Sequence, residues 1–509
     1  MQDLADATTF ARLWADTVSR CASRTFLVFE GPDEAAHEWT YGEFDGIVRR
    51  VAATLDSHGV QSGSSVHLAL TNSPTFVAVW LAATRLGAFI VPGDPMGKTP
   101  EFADQIERTA PVVGFHAAAR VDQYRDACPP GMVTIPIDES DVDFAWLHRA
   151  EHDAWPEPAP RDTAAVMFTS GTTGRPKGVV ITQANYAFAG KTMAEACDLG
   201  PADRQLVVLP LFHANAQYYS FASAIFAGAS VALMHTFSAS RFLEQAARHR
   251  ATCASLFAAP IRMILARGRT PESPVGLRHC WFAQNISAEQ FEAIAGWLGC
   301  RPRQLYGMTE TIPAVLTDES DAPRHDMMGF VTNGCEVDVH DQAGMPVAAG
   351  EVGEVVVRGQ RGITIFDRYL DDPTTTAASF RDDWFLTGDR ATRSAAGRFA
   401  FDGRRSDVLK VAGENVSTVE VETVLSAHPA VLEAAVVGAP DPVRDEVPIA
   451  YVVASDPGTP PDESELLAWC HDHLGKAKVP ATITLLDELP RTSVGKIRKF
   501  VLKKETTAQ

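Results

Sequence analysis

The sequence predicts an α/β protein of two domains, a large N-terminal one and a small α+β one at the C-terminus. Three observations carry that expectation. Residues 41–150 and 185–300 alternate helix and strand patterns, which implies parallel, helix-covered sheets. After about residue 330 the pattern switches to period two, the mark of half-exposed antiparallel strands. A third texture begins near Gly403, so the expected domains are 1–402 and 403–509. The length, 509 residues, also exceeds one ordinary domain.

The elements follow in order. Tyr41 to His58 reads as an amphipathic helix, Ser65 to Leu70 as a strand and Pro74 to Leu86 as a helix. Ala88 to Val91 reads as a strand ending at Pro92-Gly-Asp-Pro95. Glu151 to Thr163, with three prolines and several charges, reads as a surface connection. Ala164-Ala-Val-Met-Phe168 and Val179-Val-Ile181 are short apolar runs of the buried-strand kind. Val231 to Met234 is an expected strand and Ser240 to His249 an expected helix. Gly350 to Arg358 alternates as a half-exposed antiparallel strand should. Ser417-Thr-Val-Glu420 has the capping-box pattern and opens a helix that His428-Pro429 ends. Val431 to Val437 and Ile449 to Ala454 read as strands, Glu463 to Leu474 as a helix, and Lys503 to Gln509 as a frayed polar tail.

Composition narrows the function classes. The formal net charge is −19, from 45 basic and 64 acidic residues. Such a surface repels phosphate backbones and anionic lipid, which argues against nucleic acid and membrane surfaces as partners. Eight cysteines are scattered with no C-x-x-C pair, the pattern of reduced thiols. The first residues show no basic and apolar leader, and the longest apolar stretch, Phe76 to Val91, is broken by Arg85 and Gly87. A cytoplasmic protein is therefore expected.

The chemistry concentrates in five segments. Phe168-Thr-Ser-Gly-Thr-Thr-Gly-Arg-Pro-Lys-Gly178 packs three glycines, four hydroxyl residues, an Arg and a Lys into eleven positions. Backbone N–H groups, hydroxyls and a lysine suit a polyphosphate. The segment lies between two strands, and Pro176 precedes Lys177, so it is not a P-loop. Tyr306-Gly-Met-Thr-Glu310 offers an aromatic for adenine, a hydroxyl for a phosphate and a carboxylate for Mg²⁺. Trp384-Phe-Leu-Thr-Gly-Asp389 reads as a strand ending in a turn, with Asp389 able to accept from ribose hydroxyls. Gly403 to Ser417 joins the two regions, and Pro490-Arg-Thr-Ser-Val-Gly-Lys496 is basic. Each alone has a bland reading as turn, linker or solvated tail.

Taken in order, they resemble the core motifs of the adenylate-forming superfamily of acyl-CoA synthetases, nonribosomal-peptide adenylation domains and beetle luciferases. The glycine loop resembles its third motif, Leu209-Pro-Leu-Phe-His213 the fourth and Tyr306 to Glu310 the fifth. Thr387-Gly-Asp389 resembles the seventh, Gly403 to Ser417 the eighth and Pro490 to Lys496 the tenth. The resemblance implies two sheets and a distorted β-barrel in the large domain, with a small domain that rotates between half-reactions. It implies that Thr169, Ser170, Gly171, Thr172, Thr173 and Lys177 embrace the triphosphate of ATP. Tyr306 would pack on adenine, Thr309 touch the α-phosphate, Glu310 hold Mg²⁺, and Asp389 and Arg404 bind ribose. Lys496 would neutralise charge at the α-phosphate, and His213 stands with these catalytic groups. Ala412-Gly413 marks the passage of the pantetheine arm of coenzyme A.

Two positions depart from the superfamily pattern. The hinge residue, usually Asp or Lys, is Ser406, and the glycine-rich adenine turn is replaced by Phe282-Ala-Gln-Asn-Ile286. Gly413 to Ser417, Thr364 to Tyr369 and Asp441 to Glu446 are most similar to the crotonobetaine/carnitine-CoA ligase branch. An acyl pocket of Phe212, His213, Asn215, Gln217, Phe257, Gln284 and Asn285 implies a small or polar acid, aromatic acids included, activated with release of pyrophosphate and passed to coenzyme A. Two other readings stand beside it. One is an adenylating enzyme with another acceptor, such as a diazotase that activates nitrite for an arylamine. The other is a non-catalytic nucleotide-binding homologue.

Overall fold

The most apolar run of the chain folds as the helix Pro74–Arg85, every residue of which is buried except Arg85. Ser73 caps it, its hydroxyl accepting from the N–H of Phe76, and Pro74 occupies the first position, where no N–H is needed. The chain is seen here as a computed structural model. It describes residues 7–507, except 148–151, 153–154, 170–174, 268–273, 405–406, 412–413, 442–443 and 492–496.

Two large sheets enclose this helix. The first has seven strands in the order Arg368–Tyr369, Lys177–Thr182, Thr163–Thr169, Phe89–Pro92, Ser65–Ala69, Val113–Ala117, Val133–Ile137. From Thr163–Thr169 to Val133–Ile137 the neighbours run parallel. The second has nine strands and crosses the chain widely. Thr25–Glu30 lies parallel to Ser230–Met234, with Leu27 opposite Val231. Arg204–Val207, Cys253–Phe257, His279–Ala283 and Arg303–Tyr306 continue the sheet in parallel. One core joins the inner faces of both sheets, holding Leu27, Phe29, Val66, Ile90 and Ala165 with Trp14, Trp80 and Tyr186. Each such side chain contributes about 1.5–3 kcal/mol by leaving water.

A third, curled antiparallel sheet contains Glu336–His340, Val352–Arg358, Trp384–Arg393, Phe380–Arg381 and Phe399–Arg404. The strand at Val352–Arg358 is antiparallel as expected, but Val355, Val356 and Val357 are all buried, so both its faces are covered there. The segment at Trp384 does not end in a turn. It runs on as the strand Trp384–Arg393, and Gly388 at φ 75° admits an irregularity that the neighbouring strand registers as a shift.

The last sheet joins Val408–Val411, Glu414–Ser417, Val431–Asp441, Asp445–Ala454 and Thr482–Leu485 around a core of its own. The helix Thr418–Ser426 begins at Ser417, whose hydroxyl accepts from the N–H of Glu420. The return bond of the capping box is not made, because Glu420 holds Lys478 at 2.7 Å instead. The tail expectation is corrected: Lys499–Thr507 is a helix, anchored by fully buried Leu502. No helix among the described residues is long and apolar enough to cross a membrane.

Candidate active site

Four neighbouring parallel strands of the nine-stranded sheet end at one edge. Their register puts Phe257 opposite Ala283 and Phe282 opposite Gln304. The loops that follow these ends carry the expected pocket residues. Ligands of such sheets sit outside the carboxyl ends of the strands. After Arg204–Val207 come Phe212 and His213, whose rings lie 4.4 Å apart, and then a π-helix, Asn215–Ala222. π-Turns recur at functional sites. After His279–Ala283 comes Gln284, exposed and at φ 74°. A non-glycine residue in that conformation is strained, the kind of cost that concentrates at binding sites. After Arg303–Tyr306 comes the turn with half-buried Thr309 and buried Glu310.

The curled sheet completes the edge. Asp389 stands opposite Arg404 in its antiparallel ladder. Asp389 accepts from the Tyr306 hydroxyl at 2.8 Å and from Arg404 Nε at 3.0 Å. The expected adenine and ribose residues thus form one cluster. Burial raises the carboxyl pKa of Asp389, while Arg404 and Tyr306 hold it down. Burial also raises the phenol pKa of Tyr306, which keeps it a donor at neutral pH.

A second cluster lies on the strands that flank the glycine-rich segment. Thr163–Thr169 and Lys177–Thr182 form an antiparallel hairpin, and Thr169 lies opposite Lys177. The ammonium of Lys177 sits 4.8 Å from the centre of the Tyr369 ring, and the Tyr369 hydroxyl donates to Glu310 at 2.9 Å. An open cavity of about 260 Å³ borders Lys177, Tyr369, Arg108 and Arg175. Arg108 and Arg175 are both tied to Asp104. Ser170, Gly171, Thr172 and Thr173 of the loop lie outside the described residues, as do Ser406, Gly413 and Lys496.

The pocket residues divide. Asn215 is buried with neither its amide nitrogen nor its oxygen hydrogen-bonded. Asn285 accepts from Gln304 at 2.8 Å through its side chain, and its carbonyl accepts from Arg262 at 3.0 Å. Gln217 is fully buried, donating to the Leu211 carbonyl and accepting from Tyr186, so its amide serves the core. Tyr369, Gln304 and Arg262 were not singled out as site residues from the sequence. Nothing local marks them, since each reaches its partner only through the tertiary fold.

Glu310 is the hard oxygen ligand that Mg²⁺ prefers. Among the described residues no group of three or more His, Cys, Asp or Glu could hold a metal unaided.

These clusters suit a nucleotide-binding enzyme, and the chain belongs to the AMP-binding enzyme family. The family model matches residues 14–370, and that of the AMP-binding enzyme C-terminal domain matches 420–496. Among curated proteins it is 32% identical over 517 residues to the crotonobetaine/carnitine–CoA ligase of Salmonella choleraesuis (strain SC-B67), covering 98% of this chain and 100% of that protein. Among solved structures it matches ATP-bound MatB from Rhodopseudomonas palustris with a TM-score of 0.88, 26% identity and coverage of 98% and 99%. It matches the anthranilate CoA ligase AuaEII in complex with anthranoyl-AMP with a TM-score of 0.90, 25% identity and coverage of 100% and 99%.

Proposed function

We propose that this protein is an AMP-forming ligase that joins a small or polar carboxylic acid, aromatic acids included, to coenzyme A at the expense of ATP. The observation that carries this reading is the meeting of Tyr306, Asp389 and Arg404 beside the turn that carries Glu310, to which Tyr369 of the seven-stranded sheet donates. In the first half-reaction a carboxylate oxygen of the acid attacks the α-phosphorus of ATP. The bond to the bridging oxygen breaks, and pyrophosphate leaves with its electron pair. No proton transfer is needed, so positioning and charge neutralisation supply the rate. In the second, the thiol of coenzyme A attacks the acyl carbonyl, loses its proton and expels AMP.

The residues divide the work. Thr169, Ser170, Gly171, Thr172, Thr173 and Lys177 hold the β- and γ-phosphates as the leaving group. Tyr306 packs on adenine and fixes Asp389, which with Arg404 takes the ribose hydroxyls. Thr309 and Lys496 meet the α-phosphate. Glu310, oriented by the Tyr369 donor, fits Mg²⁺, which would neutralise phosphate charge when bound. Phe212, His213, Phe257, Gln284 and Asn285 line the acid pocket. The unsatisfied amide of Asn215 supports an acid with a polar group, because a buried amide left without a partner costs about 1–3 kcal/mol. Gly413 borders the pantetheine arm, and Ser406 is the hinge between domains 1–402 and 403–509. Eight free cysteines support a reducing compartment, the cytoplasm.

A pyrophosphate-release screen over small carboxylic acids, with and without coenzyme A, tests this reading. Acid-dependent release with a thioester product supports it. Turnover that ignores coenzyme A, for instance with nitrite and an aminoaromatic acid, overturns it.

A further inference from the structure

One carboxylate in the C-terminal region is shared by two arginines, one from each side of the proposed domain boundary. Glu433 enters the strand Val431–Asp441 at a bulge, and its side chain is 8% exposed. It accepts a close hydrogen bond from Arg491 of its own region. It also lies 3.8 Å from Arg262 Nη1, on the helix Ala258–Ala266 of the large region. The other terminal nitrogen of Arg262 donates to the carbonyl of Asn285 at 3.0 Å. Glu433 therefore reaches, through one guanidinium, the turn that carries strained Gln284 at the pocket edge.

Arg491 has a second position of interest. It is bridged to Ile497 as an antiparallel pair, and Arg498 N–H donates to the Pro490 carbonyl at 2.7 Å. These bonds close the base of the stretch that contains Lys496 in sequence. The three side chains thus link the pocket edge to the base of the lysine-bearing stretch. The shared carboxylate lies between two like charges, Arg262 and Arg491, and offsets their repulsion.

We propose that Glu433, held between Arg262 and Arg491, is a positioning residue for acid adenylation: it brackets the C-terminal region against the pocket edge and releases it for thioester formation. The proposal rests on the two-step reading above. Glu433 touches no reacting atom, and its effect is confined to the step that needs this arrangement of the two regions.

The test uses the full chain and assays each half-reaction separately. Acid-dependent ATP–pyrophosphate exchange reports the first. Discharge of isolated acyl-adenylate by coenzyme A reports the second. Glu433→Gln and Arg262→Gln each lower exchange about tenfold, within the span that coupling between sites reaches, and Glu433→Gln leaves discharge unchanged. The double variant loses less than the two single losses combined, because both remove the shared Arg262–Glu433 contact. Arg262→Lys, which keeps the charge, recovers part of the exchange. Equal losses in both half-reactions, additive losses or unchanged exchange overturn the bracket. Small-angle X-ray scattering separates this proposal from the ligase reading. A wild type that fits this structure yet exchanges with no acid sinks the ligase reading. A Glu433→Gln protein with the wild-type scattering curve sinks the bracket.

Discussion

The Tyr306 hydroxyl donates to Asp389 across 2.8 Å, joining the carboxyl end of a parallel strand to the middle of an antiparallel one. The bond serves two ends. It satisfies a buried carboxylate, and it fixes that carboxylate where the ribose is proposed to lie. Tyr306→Phe should therefore destabilise the fold by about 1–3 kcal/mol, the cost of an unsatisfied buried group. It should also raise KM for ATP more than it lowers kcat. Urea melts and steady-state kinetics measure the two effects, and a stable variant with unchanged KM contradicts the linkage.

Lys496→Ala should lower acid adenylation by roughly 10²-fold or more, the worth of one preorganised charge. Discharge of preformed adenylate by coenzyme A should survive. Equal losses in the two half-reactions would rule out a role confined to the first.

Tyr369→Phe removes the donor to Glu310 but keeps the ring beside Lys177. Glu310 then loses one of the contacts that orient it without losing its charge. The expected result is a weaker apparent affinity for Mg²⁺ during pyrophosphate exchange, by about tenfold for one lost hydrogen bond to a charged group. A magnesium titration of variant and wild type decides it, and identical curves refute the orienting role.

Gln284 holds a left-handed backbone, φ 74°, at the pocket edge. Gln284→Gly relieves that strain and should stabilise the protein by about 1 kcal/mol. If the side chain contacts acid or nucleotide, the same variant raises KM. A gain in melting temperature with wild-type KM would assign the strain to something other than binding.

His67 is fully buried, its Nε2 against Gln105 at 2.9 Å and its Nδ1 against the Tyr124 hydroxyl at 2.8 Å. Burial lowers its pKa from 6.5 to about 4, with the Gln105 contact opposing. The unfolded chain binds this proton and the folded one refuses it. The contribution is thus complete above about pH 6.5 and lost as pH falls towards 4, roughly 3 kcal/mol in all. Unfolding free energies measured from pH 7 to 4 should fall more steeply for wild type than for His67→Gln.

Much of this was legible in the sequence because the signals are local. Ser73-Pro74 before an apolar run fixes a helix start, and two short apolar runs around a glycine loop fix a hairpin. The misreadings share one cause, a distant partner. Lys503 to Thr507 looks polar, yet Leu502 one position earlier anchors a helix in the core. Gly388-Asp389 looks like a turn, yet pairing with Phe399–Arg404 carries the strand through it. The Tyr369–Glu310 and Arg262–Glu433 contacts join positions 59 and 171 apart in the chain, beyond the reach of any local pattern.

The pairing of Leu27 with Val231 bears on how the chain is made. The strand Thr25–Glu30 leaves the ribosome roughly 200 residues before its parallel neighbour exists. At about 5–20 residues per second that is a wait on the order of 10–40 s. During that interval Phe26, Leu27, Val28 and Phe29, all buried in the finished protein, have a strand partner, Ala36–Thr40, on one edge only. The newborn chain therefore presents an apolar strand with one edge open, a template for mispairing until residue 234 has emerged.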